Sequence, residues 1–135
     1  MGAARTAPAW RGDPGRDEIE RLHLATIAAA RELIVLENQY VASPVLETAL
    51  ARSLQRADGP EVLVLTTLKS PSWFDQGTMD RTRGALIGRL RAADVFGRFR
   101  AYCPVTPSGR PVIVHSKVTV TDDRWLRIGS ANLNN

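Results

Sequence analysis

The apolar positions change period several times along the chain, and each change marks an element. From Asp17 to Arg31, Ile19, Leu22, Leu24, Ile27 and Ala28 to Ala30 recur at helical spacing, and Asp17 and Glu18 suit the positive end of a helix. Leu33 to Glu37 (LIVLE) is a short apolar run that reads as a buried strand. Ser43-Pro44 then starts a second helix, with Ser as cap and Pro at the first helical position. Val45, Leu46, Ala49, Leu50 and Leu54 line its stripe up to Arg56, and Asp58-Gly59-Pro60 ends it. Glu61 to Thr67 (EVLVLTT) reads as a second buried strand. Lys69 to Gly77 is expected to be a loop, with Trp73 and Phe74 either exposed or capping the core. Met79, Leu86, Ile87 and Leu90 predict a helix over Thr78 to Ala93, whose arginines mostly face solvent and leave a phosphate-facing subset open. Phe99 to Val105 is a third strand, ended or set at an edge by Pro104. Residues 1–16 carry Pro8, Gly12, Pro14 and Gly15 without apolar periodicity and read as an extended lead-in or linker. Helix, strand, helix, strand predicts one α/β domain over 17–135, with a mixed, mostly parallel sheet flanked by helices.

The last third, PVIVHSKVTVTDDRWLRIGSANLNN from Pro111, is expected to be a β-hairpin. Val112 to Val114 and Val118 to Thr121 are β-branched, Asp122 and Asp123 interrupt the run, and Trp125 to Ile128 resume it, so the turn falls at Thr121 to Arg124. A turn centred on Asp122 and Asp123 sets His115 opposite Ser130 and Lys117 opposite Ile128. His115, Lys117, Ser130 and Asn132 then share one face, and Gly129 lets the backbone approach a ligand. An imidazole, an ammonium, a hydroxyl and a carboxamide on one patch suit a phosphate: the cation and donors hold its oxygens, and the imidazole can attack phosphorus. A register slip of one residue would separate these groups.

His115-x-Lys117, four residues, Asp122, six residues, then Gly129-Ser130-x-Asn132 resembles the HKD signature of the phospholipase D superfamily. Glu37-Asn38-Gln39-Tyr40, at the carboxyl end of the first strand, resembles a segment in the catalytic halves of such proteins, which makes Glu37 and Gln39 candidate substrate contacts beside strand-end capping. The resemblance implies phosphodiester chemistry without metal or cofactor. His115 would form a covalent phosphohistidine, Lys117 and Asn132 would hold the non-bridging oxygens, and Ser130 would add a hydrogen bond. Asp122 matches the motif aspartate. Strand parity sets it off the His115 face, so its role is to fix the turn or to pair with a base. The leaving oxygen also needs a general acid, which the attacking imidazole cannot be. The resemblance implies a second HKD motif, from another half of the chain or from a homodimer partner. His23, with Ala25 two residues on, does not supply it; within its helix it reads as a surface or packing residue. With three residues after Asn132, residues 5–135 read as the C-terminal half of a two-motif protein, cut short at both ends and expected to need its other half for activity.

Composition narrows this only slightly. Of 135 residues, 44% are hydrophobic and 24% charged, which fits a globular domain. Eighteen Lys and Arg against 14 acids give a net charge of +4, which favours anionic partners such as phospholipid headgroups or nucleic acid. The one cysteine, Cys103, excludes an intrachain disulfide and reads as a small core residue. One Cys and two His make a zinc site improbable. No run reaches the length of a membrane span. The expected location is the cytoplasm or the membrane periphery, and the expected reaction is hydrolysis or exchange of a phospholipid phosphodiester. A homodimeric nuclease and an inactive phosphate-binding half are the alternatives.

Overall fold

Ile34, Leu36, Val62, Val64 and Phe99 are buried, and they alternate with residues left half open to solvent; this period of two makes the strands. In the computed structural model, which describes residues 1–70 and 73–133 (73–75 by backbone alone), the chain runs β1 (Thr6–Ala7), β2 (Arg16–Asp17), α1 (Glu18–Ala29), β3 (Leu33–Asn38), α2 (Pro44–Gln55), β4 (Glu61–Leu65), α3 (Trp73–Ala93), β5 (Phe99–Tyr102), β6 (Lys117–Thr121) and β7 (Trp125–Ile128). A five-stranded sheet has the order β5-β4-β3-β6-β7. β3, β4 and β5 pair in parallel, while β6 is antiparallel to both β3 and β7, so the sheet is mixed.

All three helices contribute to one core on one face of this sheet. Ile27 of α1, Leu46, Leu50 and Leu54 of α2, and Leu86 and Leu90 of α3 meet Ile34, Leu36, Val62, Val64 and Phe99. Each such leucine contributes about 2 kcal/mol through the surface it takes out of water. The opposite face is half open: Val35, Leu63, Val118 and Val120 are partly buried, and Leu126 and Ile128 of the edge strand are exposed.

Ser43 caps α2 as the sequence indicates, its hydroxyl accepting from the Leu46 N–H at 3.4 Å with Pro44 at the start of the helix. α3 is longer than its stripe predicts and begins at Trp73, inside the expected loop. Pro71 and Ser72 of that loop, and the exposure of Trp73 and Phe74, fall outside the described residues. The expected lead-in is not simply extended. β1 and β2 pair antiparallel, and the backbone turns at Trp10–Asp13, where Arg11 (φ 47°) and Gly12 (φ 90°) are left-handed.

The hairpin register departs from expectation by one residue. Val118 faces Ile128 and Thr121 faces Trp125, because three residues rather than two form the turn and Asp122 takes a left-handed conformation (φ 50°). Its main-chain N–H donates to the Leu33 carbonyl at 2.7 Å, and its carboxylate accepts from the N–H groups of Arg31, Glu32 and Leu33. Asp122 thus caps the start of β3 and fixes β6 against it. These N–H groups, Leu33 and Glu32 first, hold its carboxyl below the usual carboxylate range. We expect Asp122→Ala to lower unfolding stability by about 1–2 kcal/mol at neutral pH, measured by urea denaturation. The contribution is present above the unfolded aspartate value and lost as pH falls through the lower folded one, so wild type and variant should converge in acid. An equal gap between them at neutral and strongly acidic pH would contradict this role.

Candidate active site

The segment before β6 is not the strand its β-branched residues predict. Residues 112–116 cross the carboxyl end of β4, where the buried Thr67 hydroxyl accepts from the Val114 N–H at 2.9 Å and donates to the Val114 carbonyl at 3.2 Å. Two residues on, the Ser116 hydroxyl donates to the Glu37 carboxylate. Lys117 then enters the sheet opposite Asn38, and its carbonyl accepts from the Gly129 N–H at 3.0 Å. The backbone on both sides of His115 is therefore clamped, and its imidazole is left exposed to solvent.

Lys117 is 7% exposed, and among the described residues it forms no ion pair. Its ammonium donates to the His115 carbonyl at 2.8 Å. A buried cation without an anion is costly, and an incoming phosphate would offset that cost. The remainder of the motif is brought to the same end of the sheet. The Leu133 carbonyl accepts from the N–H groups of Ala42 and Ser43 at 2.7 and 3.0 Å, and the Leu133 N–H donates to the Tyr40 carbonyl at 3.2 Å. Gly129 to Asn132 is stretched between these anchors and Lys117. Ser130 is exposed, and Asn132 is half-buried with its Oδ1 buried and unbonded. A side chain at Gly129 would press on the Arg127 guanidinium at 3.2 Å.

Among solved structures, the chain is similar to NucT from Helicobacter pylori, with a TM-score of 0.61 and 18% identity over 85% of this chain and 67% of that one. The likeness is one of fold. No family model matches the sequence, and no curated protein matches it.

Within this fold the candidate residues divide. His115, Lys117, Gly129, Ser130 and Asn132 lie on backbone segments at the carboxyl ends of β3 and β4, where ligands bind in open α/β sheets. The one-residue shift corrects the expected arrangement: His115 and Ser130 are not cross-strand partners, and the segments that carry them are held at this end of the sheet by Thr67 and by the Leu133 backbone. Asp122 is not brought in. It sits at the far end of β6, roughly 17 Å from Lys117 at strand rise, with its carboxylate engaged by backbone. Glu37 lies on the open sheet face and orients Ser116. Gln39 is 6% exposed, and its amide donates to the Tyr40 hydroxyl at 3.3 Å, so it packs the strand end instead of facing solvent.

Three further residues lie outside the candidate set, and of these His23 reads from sequence as a surface or packing residue. Arg83, on the stripe expected to be mostly solvated, is 4% exposed; it donates to the Gln39 and Leu68 carbonyls and pairs with Asp80 at 2.8 Å. Burial pushes the Asp80 carboxyl up, but the Ser70 hydroxyl and N–H together with Arg83 outweigh it and hold Asp80 low. Thr67 carries no motif signature, although its hydroxyl positions the loop before His115. His23 is fully buried, and burial first, then the Arg127 charge, lowers its pKa to about 4.

The His23 shift sets a pH dependence. An unfolded histidine gains its proton near 6.5 and the folded one only near 4, so acid favours the unfolded chain across that window. Unfolding stability should fall by up to about 1.4 kcal/mol per pH unit from about 6.5 to about 4. His23→Gln should flatten the profile there, measured by denaturant titration in buffers spanning the window. An unchanged slope in the variant would assign the effect to other groups.

Proposed function

We propose that the chain supplies one catalytic half of a phosphodiesterase that works through a covalent phosphohistidine. The observation that carries this reading is the buried Lys117 ammonium, unpaired by any described carboxylate and bonded to the carbonyl of an exposed, clamped His115. In the first step an imidazole nitrogen of His115 attacks phosphorus, and the bond from phosphorus to the leaving oxygen breaks. Lys117, Asn132 and Ser130 hold the non-bridging oxygens, where charge builds in the transition state. The leaving oxygen takes a proton from a second histidine, supplied by a further HKD motif in a longer polypeptide or by a second copy of this chain. Water or an alcohol then attacks phosphorus and releases the imidazole. Thr67 and Glu37 act as positioning residues, holding the backbone on either side of His115.

Phospholipid is the substrate that the ENQY resemblance supports, and the exposed Val112 and Ile113 beside His115 give the site an apolar flank suited to a membrane interface. A nucleic-acid phosphodiesterase is the better-supported of the two readings, because the fold shared with NucT and the net charge of +4 both favour it.

Intact-protein mass spectrometry after incubation with a chromogenic phosphodiester, quenched in alkali, should show an adduct on the wild-type chain and none on His115→Ala of equal thermal stability. An adduct that persists in His115→Ala would overturn the nucleophile assignment. Parallel turnover assays on phosphatidylcholine vesicles and on single-stranded DNA separate the two readings: cleavage of DNA with intact lipid would displace the phospholipid one.

A further inference from the structure

A cavity of about 440 Å3 lies between α1, the start of α2 and the segment 131–133, with Thr6 of β1 at its border. That size falls in the range of small-molecule sites. His23, Asn132 and Ser43 line it as polar groups, Ile19, Leu46 and Leu133 as apolar ones, and Asp17 and Glu20 as carboxylates. Two of its lining side chains have buried atoms without partners: Nε2 of His23, a residue 2% exposed, and Oδ1 of Asn132. A buried polar atom left unbonded costs about 1–3 kcal/mol, and native structures rarely leave two of them on one cavity unless something fills it.

The chemistry of the lining restricts the occupant. Asn132 Oδ1 is an acceptor and needs a donor. Burial and the nearby Arg127 charge keep His23 neutral, so its Nε2 can present either a proton or a lone pair. A single hydroxyl satisfies both, since it donates one hydrogen bond and accepts another. Glu20 forms no ion pair among the described residues, and Asp17 meets Arg21 only at 3.9 Å, so both carboxylates remain open to a cation. The apolar residues suit a short methylene linker. An inorganic anion fits poorly, because carboxylates and an unpartnered acceptor face the same space.

We infer that this cavity binds a small amino alcohol, with its hydroxyl between His23 and Asn132 and its ammonium against Glu20 and Asp17. The site stands on the cavity alone and does not require His115 to be reactive. Because Asn132 also belongs to the proposed phosphate-holding set, occupancy would fix the orientation of that carboxamide.

The probe is ethanolamine, titrated into the intact chain while the His23 imidazole resonances are followed by NMR, with ethylamine and 1-propanol as analogues that lack one group each. Saturable shifts of His23 at millimolar ethanolamine are expected, weakened about tenfold for either analogue. Glu20→Gln, at an exposed position, should weaken ethanolamine about threefold without altering the fold or 1-propanol binding. The same titration on His115→Ala should be unchanged, which separates this site from the proposed reaction. No saturable shift, or equal response to all three compounds, would overturn the inference.

Discussion

An ammonium buried at the end of a strand constrains everything around it. Lys117 enters the sheet opposite Asn38 and is almost closed off from solvent, so its charge needs local compensation. The protein gives it the carbonyl of His115, two residues earlier, and this ties the position of the imidazole to the position of the charge. Thr67 and Glu37 then hold the chain on either side. The result is an exposed imidazole whose backbone is fixed on an otherwise irregular segment, which is the condition the proposed nucleophile would need to be held near attack geometry.

The residues that hold the site and the residues that face solvent are different sets. Thr67, Arg83, Gln39 and Asp122 are turned inward or committed to backbone groups, while His115 and Ser130 are exposed. Arg83 belongs to the inward set, because it joins the segment after β3 to the loop after β4 through the Gln39 and Leu68 carbonyls and pairs with Asp80. A sequence motif mixes both kinds. Asp122 stands at the far end of β6 from Lys117, and its own contacts are there.

Much of this was legible in the residues themselves. Apolar period located each helix and strand of the main sheet to within a few positions, apart from the first turn of α3, and Ser43-Pro44 named the start of α2. The placing of Lys117 and the Gly129 to Asn132 stretch at one end of the sheet does not rest on the spacing argument, since the cross-strand register it assumed is shifted by one residue. The hairpin register was not legible, because it depended on Asp122 adopting a left-handed backbone so that its carboxylate could reach residues 31–33, a contact across some ninety positions. Nor was the loop over β4, since Val112 to Val114 have strand propensity, and the Pro104 carbonyl and the Thr67 hydroxyl draw them away from a ladder. Arg83 and His23 look like surface residues by type; what buries them is tertiary packing, which local pattern does not encode.

The order of strands in the sheet also has a consequence in time. β3 lies between β4, the next strand in sequence, and β6, whose contacts reach it from far along the chain; the Ser116–Glu37 pair alone spans 79 residues. Contacts of short span close first, and each longer loop adds entropy to the closure. The layer from α1 to β5 can therefore collect its leucines before β6 inserts against the free edge of β3. On that route the tripeptide His115-Ser116-Lys117 takes its shape only at the last long-range closure, so an intermediate arrested one step short would have a formed core and no assembled centre.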